Sequence, residues 1–528
     1  MPDVAQGFDY IVVGGGTAGC VLAARLSEDS GRTVCLIEAG GAGRSTFINV
    51  PGAIVMAQRS AALNWRFQSV PQLELNGRRI SVPRGRGLGG SALINGMVYF
   101  RGNPRDYDAW SAAGAKGWSY REILPYFRRS EHNENYSSSV YHGRGGPMNV
   151  RTVTHPNRLN FSFFDALAGL GHAYRDDMNG ADSEGMGLRQ LSIRNGRRAA
   201  AVEVRGAGGS RTVKAHREIV LTAGAIQSPQ LLMLSGIGDG EHLAAVGVTV
   251  RHNLPGVGRN LHDHLASPVH MRTRDPASYG VSLRAMPRNL RNIAEYFLFR
   301  RGPLANNVFE SAAFVRSVPG LDKPDVQLVF QPAKRPGPSF PYPVGHGFAI
   351  SPVGLYPRSR GRVSLASPDP FDAPLIDPNL LTAPEDLPPL INGMRLARKI
   401  FASSAFAKYR AEETSPGSAA MSDAELEAYI RAEAYTVHHP VSTCRMGSDA
   451  GAVVDPQLRF IGLDNLRVAD ASVFPSIIGG NTNAAVVMIA EKACDLILGR
   501  PPPEPEAFAD SDTALLPSSQ ISLKGNSP

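Results

Sequence analysis

Residues 8–40 read FDYIVVGGGTAGCVLAARLSEDSGRTVCLIEAG, and this stretch decides the fold. The apolar run Phe8–Val13 predicts a buried parallel strand, and residues 17–27, with Ala, Leu and Arg at helical spacing, predict the helix that follows. Gly14, Gly15, Gly16 and Gly19 sit at the junction. Glycine permits the tight turn and lets backbone N–H groups, with Thr17 and Ala18 at the helix start, approach a pyrophosphate resting on the positive helix N-terminus. A second strand, TVCLIEAG, ends in Glu38, placed to accept hydrogen bonds from a ribose hydroxyl. Strand, glycines, helix, strand and acid in that order predict a Rossmann-like dinucleotide-binding domain. The fingerprint by itself does not separate FAD from NAD.

Outward from this start, 528 residues suffice for two large domains, and 43% hydrophobic with 19% charged residues is an ordinary globular composition. The 55 Gly and 40 Pro are spread along the chain, which implies many tight turns rather than low-complexity disorder. The net charge of +8 comes from arginines scattered among acids, not from the runs that nucleic-acid binders show, so no nucleic-acid partner is expected. Cys20, Cys35, Cys444 and Cys494 stand far apart, which suggests neither a metal site nor a disulfide framework and points to a reducing compartment. A strand begins already at Phe8 and no stretch is apolar for the length of a membrane span, so a cytoplasmic protein without a transmembrane segment is expected, with peripheral membrane association left open.

The segment PRGRGLGGSALINGMVYFRG, residues 83–102, can bring bare backbone against a large planar cofactor. It closely resembles the first signature of the glucose-methanol-choline (GMC) oxidoreductases, with Gly85, Arg86, Leu88, Gly89, Gly90, Ser91, Asn95, Tyr99, Gly102 and Asp108 in matching places. Ala92 departs from it, standing where the family has a second small hydroxyl or glycine. The second signature is matched by GAIQSPQLLMLSGIG, residues 224–238, followed by PGVGRNLHDH, residues 255–264. The C-terminal segments NLRVADASVFPS and NTNAAVVMIAEKACDLI are similar to those of bacterial L-sorbose, alcohol and polyethylene glycol dehydrogenases of this family.

The resemblance implies FAD, held by the first glycine turn and Glu38, by Arg86, Gly89, Gly90, Ser91, Asn95, Gly96, Met97 and Val98, and by Asp470, Ala471, Asn481, Thr482 and Asn483. Members with covalently bound FAD carry a His just before the Asn of the first signature. Ile94 stands there, so noncovalent FAD is expected.

Alcohol oxidation needs a group to take the hydroxyl proton while the carbon-bound hydrogen leaves as hydride, and His suits that task near neutral pH. TVHHPVSTCRMG, residues 436–447, resembles the family's catalytic motif, which makes His439 the base and His438 a neighbour that tunes the pocket. The family's second polar position falls on Asn481, whose amide would donate to the developing alkoxide. The helix starting near Ala484 would turn its positive end towards the flavin pyrimidine. Histidines outside this motif, His142 and His264 among them, read as loop or packing residues.

The fold class expected is α/β, α+β overall. The FAD-binding domain takes 1–150, 200–270 and 440–500, and a substrate-binding cap of 151–199 and 271–439 is built on an antiparallel sheet from runs such as PDVQLVF, GFAISPVGLY and GRVSLAS. Glu310, Phe314 and Gln331 are expected to line the substrate pocket. Residues 501–528 read as a disordered tail. Relative to the family, a few dozen residues are missing after Arg198, which puts FAD affinity in doubt. The expected activity is oxidation of a primary alcohol or polyol with electrons passed to a quinone or dye. An oxygen-using oxidase, a hydroxynitrile-lyase-like protein or a poorly active flavoprotein are the alternatives.

Overall fold

The computed structural model describes residues 7–43, 45–136, 138–192, 213–334, 344–409, 412–419 and 422–507. The junction after Arg198 lies outside them, as do residues 508–528 of the expected tail.

The expected opening forms. Gly7–Val13 is a strand, Thr17–Leu26 a helix and Val34–Ile37 the second strand. They belong to a four-stranded sheet that Lys214–Leu221 and Leu466–Val468 complete, every pairing parallel. Parallel strands buried on both faces need apolar side chains throughout, and Val12, Val220 and Val468 are fully buried at its centre.

The helix Asn483–Leu498 packs between Thr17–Leu26 and the helix Tyr120–Ser130. Its residues Ala484–Asp495 are all buried, charges included. Those charges are matched: Glu491 receives Arg25 and Arg129, and Asp495 receives Arg129. A helix apolar nearly all round must be sandwiched in this way, since it has no wet face.

A second, eight-stranded sheet forms a roof over this domain. Its antiparallel core runs through Val269–Thr273, His346–Gly354, Val326–Gln331, Ser311–Val315 and Gly185–Leu188. Its apolar cluster includes Phe330, Phe348 and Met394, the last from the helix Leu387–Ala402 packed against the sheet. PDVQLVF and GFAISPVGLY therefore form the roof strands expected of them. GRVSLAS does not: Gly361–Ser364 pairs with Arg259–Leu261 and Leu375–Asp377 in a separate three-stranded sheet. Alternation alone does not say which sheet a strand joins.

The hydrogen bonding also cuts across the segment 151–199. Gly185–Leu188 is in the roof, whereas Gln190–Ser192 pairs with Val98–Tyr99 and with Met148–Thr152. Within the expected tail, Glu506 is docked on the body, its N–H donating to the Arg121 carbonyl at 3.0 Å and its carboxylate meeting Arg128 at 2.8 Å. Among the described residues no helix is long and apolar enough to cross a membrane.

Candidate active site

A cavity of 2070 Å³ lies between the parallel sheet and the roof, lined by both. At one end two glycine loops cross. Gly90, at φ +53°, would bring a Cβ within 2.7 Å of the Gly16 Cα, and the Gly89 N–H donates to the Gly15 carbonyl at 2.7 Å. Only bare backbone can pass here, because any side chain at Gly90 meets main chain in a conformation that L-residues disfavour. Gly16 precedes the helix Thr17–Leu26 with no side-chain cap. Gly16, Thr17 and Ala18 line the cavity, so the helix start offers its uncapped N–H groups there. Those helix-start N–H groups, beside the bare glycine backbone of Gly14 and Gly90 that also lines the cavity, are what a dinucleotide diphosphate requires, and the residues present fit FAD.

Most of the expected cofactor residues converge on this space: Glu38, Arg86, Ser91, Asn95, Gly96, Met97, Val98, Asp470, Ala471, Asn481, Thr482 and Asn483 all line it. Gly19 and Gly89 do not. A Cβ at Gly19 would sit 1.9 Å from the Gly14 carbonyl oxygen, so this glycine lets helix and strand touch. Gly89 joins the two loops through its N–H. Glu38 is already held by N–H donors from Gly15 and Gly40, each at 2.8 Å, and from Gly87 at 3.0 Å. It knits three loops together as well as facing the cavity. Asp470 is similar, accepting from the Gly224 and Ser472 N–H groups at 2.8 Å and the Ser228 hydroxyl at 2.6 Å.

Two of the expected pocket residues are displaced. Glu310 turns away to bind the Asn157 N–H, Asn160 and Tyr279, and Phe314 stacks on Phe100 at 4.4 Å in the core. Gln331 does line the cavity, beside Gln327, Phe309, Val329 and Tyr435.

His439 and Asn481 come together in the same cavity, the Asn481 amide nitrogen 3.2 Å from His439 Nε2. The other side of the ring holds a residue that sequence reasoning set aside. His264 Nδ1 lies 3.0 Å from His439 Nδ1, and His264 Nε2 lies 3.0 Å from the Leu355 carbonyl oxygen. A carbonyl can only accept, so His264 carries its proton on Nε2. Burial pushes the His264 pKa down to about 4, so the ring is neutral and its Nδ1 accepts. His439 must then donate from Nδ1, which leaves its Nε2 lone pair for Asn481 and the cavity. Burial, aided by the charges of Arg84 and Arg189, holds His439 well below the ordinary histidine range and hence neutral.

The backbone beneath is fixed by Asp263, which accepts from the N–H groups of both His439, at 2.7 Å, and His264, at 2.8 Å. Burial raises that carboxyl to about 7 against the opposing charge of Arg84. Arg84 in turn donates to the His438 carbonyl at 2.7 Å, holding the left-handed turn at His438, φ +66°. The signal for His264 was its place at the end of PGVGRNLHDH, whose distance of 175 residues from His439 hides the contact.

Family models for GMC oxidoreductases match residues 8–199 and 190–266 at the N-terminal side and 357–490 at the C-terminal side. The chain belongs to the GMC oxidoreductase family. This GMC oxidoreductase is 40% identical to an alcohol dehydrogenase [acceptor] of Pseudomonas putida, over 93% of this chain and 96% of that one. It is 39% identical to an oxygen-dependent choline dehydrogenase of Rhizobium etli, over 94% and 96%. Among solved structures it resembles pyridoxine 4-oxidase from Mesorbium loti, with TM-score 0.82 and 32% identity over 92% of this chain and 98% of that one. It is accordingly an FAD-dependent oxidoreductase of the class acting on CH–OH donors, as its two signatures imply.

Proposed function

We propose that this enzyme oxidises a primary alcohol or polyol to the aldehyde or ketone, with His439 as the base. The observation that supports it most directly is the His439–Asn481 pair in the cavity, its Nε2 unprotonated by the chain of hydrogen bonds running back to Leu355. Bound FAD supplies the hydride acceptor. His439 Nε2 takes the hydroxyl proton of the alcohol, and the Asn481 amide donates to the oxygen as negative charge develops there. Among the described residues Asn481 Oδ1 is buried without a partner, so a ligand group completes the site. The apolar roof residues Phe309, Val329 and Val353 exclude water from the reacting carbon.

Asp470, Ala471, Thr482 and Asn483 face the cavity from the same side as Asn481, with Asn483 Oδ1 accepting from the Thr17 hydroxyl at 3.0 Å. That bond ties the starts of two helices together where the cofactor's charge would lie. For the acceptor, the likeness to the alcohol dehydrogenase [acceptor] favours one other than oxygen, for which we propose a quinone or dye, whereas the likeness to the oxygen-dependent choline dehydrogenase favours oxygen.

Anaerobic mixing of the holoenzyme with primary alcohols, polyols and aromatic alcohols tests the reading. Bleaching of the flavin with aldehyde or ketone formed is expected. Product without bleaching would instead indicate a lyase. Dye reduction and peroxide formation measured in parallel decide the acceptor.

A further inference from the structure

Arg189 is a buried cation without a partner among the described residues. It is 7% exposed and lines the cavity. Its backbone is pinned between the roof strand Gly185–Leu188 and Gln190–Ser192, with its N–H donating to the Glu310 carbonyl at 2.9 Å and its carbonyl accepting from Val153 at 3.0 Å. Among the described residues its Nη2 has no hydrogen-bond partner and no carboxylate pairs with the guanidinium. Other buried arginines here are engaged: Arg101 meets Glu131, and Arg84 holds the His438 carbonyl beside Asp263.

An uncompensated charge away from water is costly, and a structure that keeps one at a ligand cavity has left the counter-charge to the ligand. Burial alone acts on this guanidinium, lowering it to about 10, with no acid countering. It stays charged at neutral pH. Arg189 and His439 line the same cavity, so one bound molecule can meet both.

We propose that Arg189 is an anion subsite of the alcohol cavity and that the substrate is an alcohol bearing a carboxylate, the hydroxyl at His439 and the carboxylate on Arg189. The planar fork of a guanidinium matches a carboxylate in two parallel hydrogen bonds, which is strongest where water is excluded. The same charge works against a quaternary ammonium alcohol, whose cation would enter the cavity against a fixed like charge. Of the four acids lining the cavity, Glu38 and Asp470 are occupied by backbone N–H groups, Asp372 accepts from the Ser367 hydroxyl, and Glu433 also has a partner. The inference rests on the alcohol reading above.

The experiment is anaerobic flavin reduction in the holoenzyme by ω-hydroxycarboxylates of graded chain length against the matching 1-alkanols, 4-(hydroxymethyl)benzoate against benzyl alcohol, and choline. At least one carboxylated alcohol should reduce the flavin with a second-order rate about tenfold or more above its uncharged counterpart, and choline should be poor. Arg189→Met, similar in length and apolar, should abolish that preference, so that each carboxylated alcohol reduces the flavin no faster than its uncharged counterpart, while FAD content is retained.

If uncharged alcohols bleach the flavin and no carboxylated one does better, the subsite is refuted while the alcohol reading stands. If no alcohol of either kind bleaches it, the alcohol reading itself fails. If Arg189→Met slows every alcohol equally and shifts the flavin spectrum or potential, the guanidinium serves the flavin and the proposal is overturned.

Discussion

His264 and His439, 175 residues apart in sequence, meet through their Nδ1 nitrogens at 3.0 Å, and the Leu355 carbonyl behind His264 determines which of the two carries the shared proton. Tautomer control therefore passes from a main-chain oxygen through one imidazole to the next. His264→Ala should keep FAD but slow flavin reduction by roughly ten- to a hundredfold, the scale for losing a group that orients a reacting His. The apparent affinity for alcohol should barely change. Unaltered reduction in that variant, measured by stopped flow, would remove His264 from the mechanism.

His439→Ala should retain FAD and reduce the flavin on the order of a hundredfold or more slowly, the usual loss for a general base. Asn481→Ala should fall less, since one hydrogen bond to the alkoxide is removed. A change in FAD loading alone at Asn481 would make it a cofactor residue only.

The pH dependence of stability follows from the buried histidines. Burial lowers His262 and His438 to about 3 and His264 to about 4, with His439 also well below the usual value. Below pH 6.5 the unfolded chain takes up protons that the folded chain refuses, so stability present above 6.5 is lost as pH falls towards 4. Asp263 has the opposite sign: raised to about 7, it holds a proton in the folded state, and its contribution is lost as pH rises through that value. Thermal unfolding of the holoenzyme should thus show a fall in Tm from pH 7 to pH 5. Asp263→Asn should steepen that fall. A flat Tm over this interval would contradict the buried, neutral histidines.

Gly90→Val places a β-branched side chain at φ +53° and against Gly16. The strained conformation alone costs about 1–3 kcal/mol, and the loops must also part. Flavin content per protein after purification should drop sharply, whereas Gly77→Ala, at an exposed turn whose Cβ meets nothing within 4 Å, should leave it unchanged. Equal FAD content in the two variants would refute the crossing as a cofactor clamp.

Noncovalent attachment predicts that acid precipitation releases yellow flavin into the supernatant. Ile94 is buried at 3% exposure and offers no nucleophile. A pellet that stays yellow and fluorescent would show the expectation wrong.

The sequence by itself determined the first strand–turn–helix and the cofactor class and supplied the proposed base, because each is written in a short contiguous segment whose chemistry is local. Gly14 to Gly19 make the tight turn between a strand and a helix that leaves room for a phosphate, and residues 436–447 carry a His before Pro that resembles the family's motif. The roof strands at 326–331 and 346–354 were legible for the same reason, as local alternation. Only the tertiary structure decided that Gly361–Ser364 leaves the roof, that Glu310 and Phe314 turn from the cavity, that His264 stands behind His439 and that Arg189 lines the cavity. Those outcomes depend on which strands pair across more than a hundred residues, and a buried imidazole or guanidinium gains its role from the partner it meets, or lacks, after the chain has closed around it.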